Sequence, residues 1–284
     1  MKVYVNGKLV RENRAMVSIF DRGFLYGDGA FETMRSYNSK IFRLEEHIRR
    51  LFFTLKELKI NHTFKPSELP QLLNFVLKEN RLKDAYIRLG ATRGESEGGF
   101  EIVKEMPPTL YIIAKHLKPY PESFYQRGVK VTIVSTRKTP SSSVESKLKT
   151  HNFLQNILAR IGARERKAFE GIMLDIKGNI CEGAVSNIFF VKDGVLLTPS
   201  AQCDILLGIT RQTVIELAKK LKIAVREGRF KVRDLLNCEE CFLTNSLIEI
   251  LPVKAIDASI VDNGKPGKIT KTLIKAYKGL VKEN

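Results

Sequence analysis

The chain has 284 residues, 43% of them hydrophobic, which is enough for one large or two moderate domains with cores of their own. Its formal net charge of +17 is compatible with a nucleic-acid partner, but the basic residues alternate with acidic ones, as in RLEEHIRRL, and form no basic block. We therefore expect no nucleic-acid partner, only a positive field that attracts small anionic substrates.

The first ten residues, MKVYVNGKLV, alternate apolar and polar side chains around Asn6-Gly7, a pair typical of a two-residue hairpin turn. This pattern predicts a β-hairpin rather than a signal peptide. No segment approaches the roughly 20 apolar residues that a membrane-spanning helix requires. We therefore expect a soluble, cytoplasmic protein without a membrane partner.

Helical and strand-like patterns follow the hairpin. Apolar residues recur at helical spacing in IFRLEEHIRRLFFTLKEL and SELPQLLNFVLKEN, whereas DAYIRLGATRG and TLYIIAKHL have the composition of strands. Residues 1–117 are therefore predicted to form a small N-terminal α/β domain. Pro119 and Pro121 then interrupt the pattern, and we place a linker at residues 118–127.

Residues 128–284 are predicted to form a second, larger domain. It begins with the strand VKVTIVST and the helix NFLQNILARIGARERKA, and it continues with strands that turn at Lys177-Gly178 and Asp193-Gly194. The helix TRQTVIELAKKL, the strand pair ECFLTNSLIEILPV and a helix over residues 268–282 complete it. Because strands and helices do not alternate regularly, the fold class is predicted to be α+β.

Cys238 and Cys241, in NCEECF, form a C-x-x-C motif and are two of the four cysteines. A structural zinc site requires a second pair of ligands, and none follows at the usual spacing. We therefore expect no metal site and ordinary cysteines, with a disulfide between these two as the alternative.

Three features of the second half have side chains suited to small-molecule binding. Glu182, in CEGAVSNIFF, is a strand-borne carboxylate, although taken alone it is more typical of a surface turn. Gly208 leads into a helix that contains Thr210, an arrangement that directs free N–H groups and a hydroxyl at one point and suits a phosphate, but also describes an ordinary helix start. Thr244 and Ser246 are polar residues at the end of an apolar strand, a pattern that is also common at ordinary strand ends.

The segment ESKLKTHNFLQN adds two lysines, Lys147 and Lys149, and the combined set matches the needs of pyridoxal 5'-phosphate (PLP). Its aldehyde requires an amine for a Schiff base, its ring nitrogen an acidic partner, and its phosphate several donors. Here the sequence resembles the class IV aminotransferase family, the fold-type IV PLP enzymes. The resemblance runs in order through DRGFLYGDGAFETMRSY, HIRRL, EGAVSNIFFVKDGVLLTPS, ILLGITR and CFLTNSLIEILPV, nearly the whole chain.

The resemblance implies a two-domain fold with a larger C-terminal domain, in which helices flank a β-barrel-like sheet. It also implies a homodimer that acts on a small amino substrate. KTHNFLQNILA fits the family register with Lys149 as the catalytic Schiff-base lysine, while Lys147 lies two residues too early and stays a second choice. By the same resemblance, Glu182 pairs with the ring nitrogen, and the phosphate ligands are Arg50, Ile209, Thr210 and Ser246. Arg49 is adjacent to Arg50 and easily mistaken for it.

Three family activities compete. D-amino acid aminotransferases resemble one another in a tyrosine at the position of Phe31 and in an arginine and a histidine after the TRG block, which this chain lacks. Branched-chain aminotransferases show a proline after YIR and a loop like TGTAAEV. This chain instead resembles the aminodeoxychorismate lyases in the segments TNSLIEILPV and LKTHNFLQN. That resemblance favours the lyase reaction, which releases pyruvate and 4-aminobenzoate. Phe31, Arg88 and Arg93 are the substrate-binding candidates, and Arg88 suits either a carboxylated ring or an α-carboxylate.

Overall fold

The computed structural model describes residues 1–97, 99–102 and 106–283. Contacts between residues divide the chain into two compact units. The first comprises Met1–Lys118 and Leu148–Asn152, and the second comprises Pro119–Lys147 and Phe153–Glu283. The short segment that carries Lys149 therefore belongs to the first unit, apart from its sequence neighbours.

The first unit contains a six-stranded sheet in which every pairing is antiparallel. Its strands are Lys2–Val5 (β1), Lys8–Arg11 (β2), Gly29–Tyr37 (β3), Lys40–Ile41 (β4), Ala85–Thr92 (β5) and Thr109–His116 (β6). They are ordered β2-β1-β6-β5-β3-β4. Asn6 and Gly7, with φ of 45° and 85°, form the turn of the predicted hairpin.

Two long helices pack against this sheet, Leu44–Glu57 (α2) and Leu69–Glu79 (α3). A short helix, Arg22–Tyr26 (α1), precedes β3. Ile48, Leu51 and Leu55 recur at helical spacing on α2 and lie in one hydrophobic core with Met34 of β3. The two long helices were predicted, whereas α1 has too few residues to show a helical period.

The second unit contains a nine-stranded sheet. Its strands are Val129–Arg137 (β7), Glu170–Leu174 (β8), Ile180–Gly183 (β9), Asn187–Lys192 (β10), Val195–Pro199 (β11), Val225–Gly228 (β12), Glu240–Asn245 (β13), Glu249–Ile256 (β14) and Ser259–Ile260 (β15). The order is β12-β11-β10-β13-β14-β7-β8-β9, with β15 paired to β14. Parallel and antiparallel pairs are mixed.

This second sheet is strongly curled. Only residues 184–186 join β9 to β10, yet β13, β14, β7 and β8 lie between these two strands in the hydrogen-bonded order. Such a short link is compatible with that order only if the sheet bends round toward closure. The structure therefore confirms the α+β class and the barrel-like sheet.

Five α-helices of the described residues belong to the second unit. They are Glu122–Arg127 (α4), Leu154–Glu165 (α5), Ile209–Lys220 (α6), Val232–Leu236 (α7) and Lys268–Glu283 (α8). The first of them, α4, occupies much of the segment that we assigned to the linker. Cys238 and Cys241 are buried and free, so they form no disulfide.

Within the part of the chain that the structure describes, no helix has the length and apolarity to cross a membrane. The same residues contain no group of three or more His, Cys, Asp or Glu side chains arranged to hold a metal ion.

Candidate active site

The segment that contains Lys149 pairs with the start of β3. Ala30 and Thr150 form an antiparallel bridge. The Phe31 N–H donates to the Lys149 carbonyl at 3.0 Å, and the His151 N–H donates to the Gly29 carbonyl at 2.9 Å. Because side chains alternate along an extended segment, Lys149 and His151 project on the same side as Phe31.

Two cationic groups lie against the Phe31 ring. The Lys149 Nζ is 4.5 Å from the ring centroid, and the Arg88 guanidinium carbon is 3.7 Å from it. Arg88 Nε donates to the Tyr111 hydroxyl at 3.1 Å. Among the described residues, the two terminal nitrogens of Arg88 have neither a hydrogen-bond partner nor an acidic partner. Arg88 is thus a cation beside Lys149 that is suited to a carboxylate from outside the protein.

The strand register explains why these side chains meet. Phe31 of β3 lies opposite Gly90 of β5, and Gly90 lies opposite Tyr111 of β6. A Cβ atom at position 90 would come within 2.3 Å of the Tyr111 ring. The glycine therefore allows Tyr111 to lie over β5, where its hydroxyl reaches Arg88.

His151 completes this group. Its Nε2 lies 3.0 Å from the Tyr111 hydroxyl, and its ring stacks on Phe31 with centroids 5.6 Å apart. Burial, and then the positive charge of Arg88, lower the pKa of the His151 imidazole to about 4. The imidazole is therefore neutral at physiological pH.

Arg50 lies on α2 and forms a bidentate ion pair with Glu32 of β3. Its Nε and Nη2 each donate to a Glu32 carboxylate oxygen at 2.7 Å, and His47 Nδ1 is 2.7 Å from the same carboxylate. Burial raises the pKa of Glu32, but Arg50 and His47 outweigh it and lower the pKa to about 2. This pair fixes the predicted phosphate ligand Arg50 in one orientation.

Arg93 is buried and bound by protein acceptors. Its guanidinium makes two hydrogen bonds to the Asp28 carboxylate, at 2.7 and 3.0 Å, and one each to the carbonyls of Leu58 and Lys59 at 2.8 Å. These four bonds tie the start of β3 to the end of α2 and the residues after it. These bonds hold Arg93 in place within the first unit, and its predicted contact with substrate stays a prediction.

In the second unit, Glu182 lies buried at the end of β9 and is no surface-turn residue. Its Oε1 accepts a hydrogen bond from Lys138 Nζ at 2.8 Å, and its Oε2 accepts from the Leu206 N–H at 3.0 Å. Burial lowers the pKa of Lys138, but the facing carboxylate outweighs it and raises the pKa above its usual value. Asn187 Nδ2 donates to Glu182 at 3.2 Å and to the Leu206 carbonyl at 2.8 Å.

The same asparagine connects Glu182 with the start of α6. A Cβ atom at Gly208 would come within 2.2 Å of Asn187 Oδ1, so the close approach requires glycine at this position. Gly208 is the N-cap of α6 and offers no side chain to its N–H groups. Within the described chain, the backbone N–H groups of Ile209 and Thr210 and the Thr210 hydroxyl have no hydrogen-bond partner. These are donors of the kind that a phosphate requires.

Ser246 lies in the turn between β13 and β14. Asn245 builds this turn, because its Oδ1 accepts from the N–H groups of Leu247 and Ile248 at 2.8 and 2.9 Å. The Ser246 hydroxyl has no partner among the residues described, and the buried Thr244 hydroxyl has none either. Asn245 Nδ2 donates to the Val185 carbonyl at 3.0 Å and so joins this turn to the one between β9 and β10.

Lys147 differs from Lys149 in its surroundings. Its side chain is 44% exposed, and its Nζ lies 3.9 Å from a Glu145 carboxylate oxygen, a geometry typical of a weak surface ion pair. Lys147 thus lies in solvent beside an acidic residue, whereas the Lys149 amine lies against the Phe31 ring.

Sequence reasoning missed Glu32, Tyr111, Lys138 and His151. Only Glu32 had a visible signal, since GAFETM alternates and places a carboxylate on the apolar face with Ala30 and Met34.

Each unit contains groups of the kind that PLP requires. The first unit has an amine in Lys149, and the second unit has a buried carboxylate in Glu182 and the hydroxyls and N–H groups of Thr210, Ile209 and Ser246. An amine, an acidic partner for the ring nitrogen and several phosphate donors are what the cofactor requires.

Comparisons with known proteins agree with this chemistry. A family model for class IV amino-transferases matches residues 29–256. The chain is 41% identical over 280 residues to a putative branched-chain-amino-acid aminotransferase of Methanocaldococcus jannaschii, with 99% of this chain and 96% of that protein covered. It is 36% identical to aminodeoxychorismate lyase of Bacillus subtilis, with 99% and 94% covered.

The crystal structure of the branched-chain amino acid aminotransferase of Escherichia coli matches with a TM-score of 0.95 at 32% identity, covering 99% of this chain and 94% of that one. A match of this extent in both sequence and structure establishes common ancestry over the full described fold. The chain belongs to the class IV aminotransferase family and is a PLP-dependent enzyme.

Proposed function

We propose that the protein transfers an amino group between an α-amino acid and a 2-oxo acid. The observation that carries this proposal is the Arg88 guanidinium, which lies with Lys149 against the Phe31 ring and has no acidic partner among the described residues. A substrate carboxylate bound there has its α-carbon close to an amine. The similarity to two proteins named as branched-chain aminotransferases, one of them putative, supports branched-chain L-amino acids with 2-oxoglutarate as the substrates.

The proposed roles follow the chemistry of each group. When bound, PLP withdraws electrons from the substrate Cα and makes its proton acidic. The Lys149 amine takes up and returns that proton, and Arg88 holds the carboxylate. The Glu182 carboxylate keeps the ring nitrogen protonated, while the phosphate is bound by Arg50, Ile209, Thr210 and Ser246.

The second candidate is 4-amino-4-deoxychorismate lyase, which the sequence alone favoured. It is supported by the turn that Asn245 builds within TNSLIEILPV and by the 36% identity to the Bacillus subtilis lyase. Arg88 serves this reaction as well, since the substrate carries carboxylates on the ring and on the enolpyruvyl group. The two candidates differ in their products: amino transfer would give a 2-oxo acid and a new amino acid, whereas the lyase would give pyruvate and 4-aminobenzoate.

One set of assays separates the candidates. Purified protein with PLP is incubated with L-leucine or L-isoleucine and 2-oxoglutarate, with D-alanine and 2-oxoglutarate, and with aminodeoxychorismate alone. We expect L-glutamate in the first mixture and no 4-aminobenzoate in the last. Release of 4-aminobenzoate and pyruvate, with little amino transfer, would replace the proposal by the lyase. Lys149→Ala serves as the blank in every mixture.

We also infer that the protein is a homodimer. The family resemblance implies it, and α5 supports it with four apolar side chains at helical spacing, Leu154, Ile157, Leu158 and Ile161, each 48–69% exposed.

A further inference from the structure

Three polar side chains form a continuous hydrogen-bonded row across one face of the first sheet. Arg88 Nε is 3.1 Å from the Tyr111 hydroxyl, and that hydroxyl is 3.0 Å from His151 Nε2. Arg88 belongs to β5, Tyr111 to β6, and His151 to the segment bridged to β3. The row therefore links Arg88 to a residue that follows Lys149 by two positions.

The direction of the bonds follows from the chemistry of the groups. An arginine Nε can only donate, so the Tyr111 oxygen accepts from Arg88. The Tyr111 hydroxyl proton is then available to His151 Nε2, which lies within hydrogen-bonding distance and accepts it in the tautomer that carries the imidazole proton on Nδ1. A neutral imidazole in this tautomer satisfies every hydrogen bond of the row.

We propose that His151 is a positioning residue for substrate carboxylate binding: by accepting the Tyr111 proton, it fixes the Tyr111 oxygen that orients the Arg88 guanidinium. This proposal rests on the proposed function, in which Arg88 binds a substrate carboxylate. The hydrogen bond from Arg88 Nε to Tyr111 then holds the guanidinium in one orientation, and its two terminal nitrogens remain available to the substrate carboxylate.

The charge of the side chain at position 151 determines whether Arg88 stays available to the substrate. An aspartate or glutamate here would accept the same proton but would also attract Arg88 and compete with the substrate. A neutral imidazole accepts the proton and leaves the positive charge of Arg88 available. Its ring fits against the chain only because position 29 is glycine, where a Cβ atom would come within 2.6 Å of His151 Nδ1.

The test is calorimetric binding of glutarate, a dicarboxylate that undergoes no turnover, to the PLP-loaded enzyme. Loss of one oriented hydrogen bond to a charged group predicts about tenfold weaker binding for His151→Leu and for Tyr111→Phe. His151→Gln places an amide oxygen near the position of Nε2 and should stay within about threefold of wild type. Arg88→Leu is the reference for complete loss of the carboxylate contact.

A double variant, Tyr111→Phe with His151→Leu, separates positioning from general damage. Both changes interrupt the same pair of hydrogen bonds. The double variant should therefore bind glutarate with about the same affinity as the single variant that binds it less tightly. Wild-type affinity in His151→Leu, equal losses in His151→Gln and His151→Leu, or additive losses in the double variant would each overturn the inference. If Arg88→Leu itself bound glutarate like wild type, the carboxylate role in the proposed function would fail instead.

Discussion

Lys138 and Glu182 form a buried ion pair, with Nζ 2.8 Å from Oε1 and each side chain 7% exposed. Lys138 comes directly after β7 and Glu182 lies in β9, and β8 alone separates these strands in the sheet, so the two side chains meet across β8. Removing one partner of such a pair leaves an uncompensated charge in a poorly solvated position. The carboxylate that we assign to the cofactor ring thus depends on Lys138 as its buried charge partner.

Lys138→Met should therefore destabilise the protein by about 3 kcal/mol, because the buried Glu182 charge loses its partner. Thermal or denaturant unfolding of the cofactor-free protein measures this. Lys192→Met is the matched control, since Lys192 pairs with Asp234 at 3.3 Å in a partly exposed position and should cost less than about 1 kcal/mol. Equal losses in the two variants would show that the burial of the Lys138 pair has no energetic consequence.

Lys149→Ala should abolish turnover and leave the fold intact, because it removes the amine that we propose to bind the cofactor and to move the Cα proton. In wild type, borohydride treatment should make the cofactor resistant to dialysis, and in Lys149→Ala it should not. Lys147→Ala, which alters only an exposed side chain near Glu145, should keep near-normal turnover. The reverse pattern in the two variants would exchange the roles of the lysines.

The sequence predicted the fold well where the signal is local or shared with a family. The hairpin turn at Asn6-Gly7 and the helices α2, α5, α6 and α8 follow from turn chemistry and periodicity, and the barrel-like sheet follows from the family resemblance. The contacts between side chains at the candidate active site were harder to predict from the sequence. Arg88 and Tyr111 meet His151 through the register of neighbouring strands, and Lys138 meets Glu182 across β8. Both sets of contacts depend on strand pairing between residues distant in sequence, which local sequence patterns do not encode.

Glu32 should make the protein sensitive to acid. Its pKa in the folded protein is about 2, against an ordinary value of 4.5, because Arg50 and His47 outweigh the effect of burial. A carboxyl group with a lowered pKa contributes stability that is complete above the ordinary value and is lost as the pH falls toward the folded value. The loss should therefore develop between about pH 4.5 and pH 2 and amount to about 3 kcal/mol.

Glu32→Gln should remove this part of the pH dependence while lowering stability at pH 7, since Arg50 and His47 lose their carboxylate. Denaturant unfolding at a series of pH values from 7 down to 3 provides the measurement. Glu79→Gln is the control, because Glu79 pairs with Lys2 on the surface at 2.7 Å and should change the pH profile much less. An unchanged profile in Glu32→Gln would mean that other carboxylates govern acid unfolding.

The apolar stripe on α5 should bury itself against a second copy of the chain. Asn156, Ala159 and Ala163 face the interior of the second unit, while Ile157 and its three apolar neighbours face outward. A stripe of this kind on the surface of a monomer is unfavourable in water and is typical of an interface.

Ile157→Glu places a charge in the centre of this apolar stripe, where burial would cost several kcal/mol. Sedimentation velocity at micromolar concentration should therefore show a dimer for wild type and a monomer for Ile157→Glu. Lys271→Glu, an exposed change on α8, should remain dimeric, and a monomeric wild type would refute the homodimer.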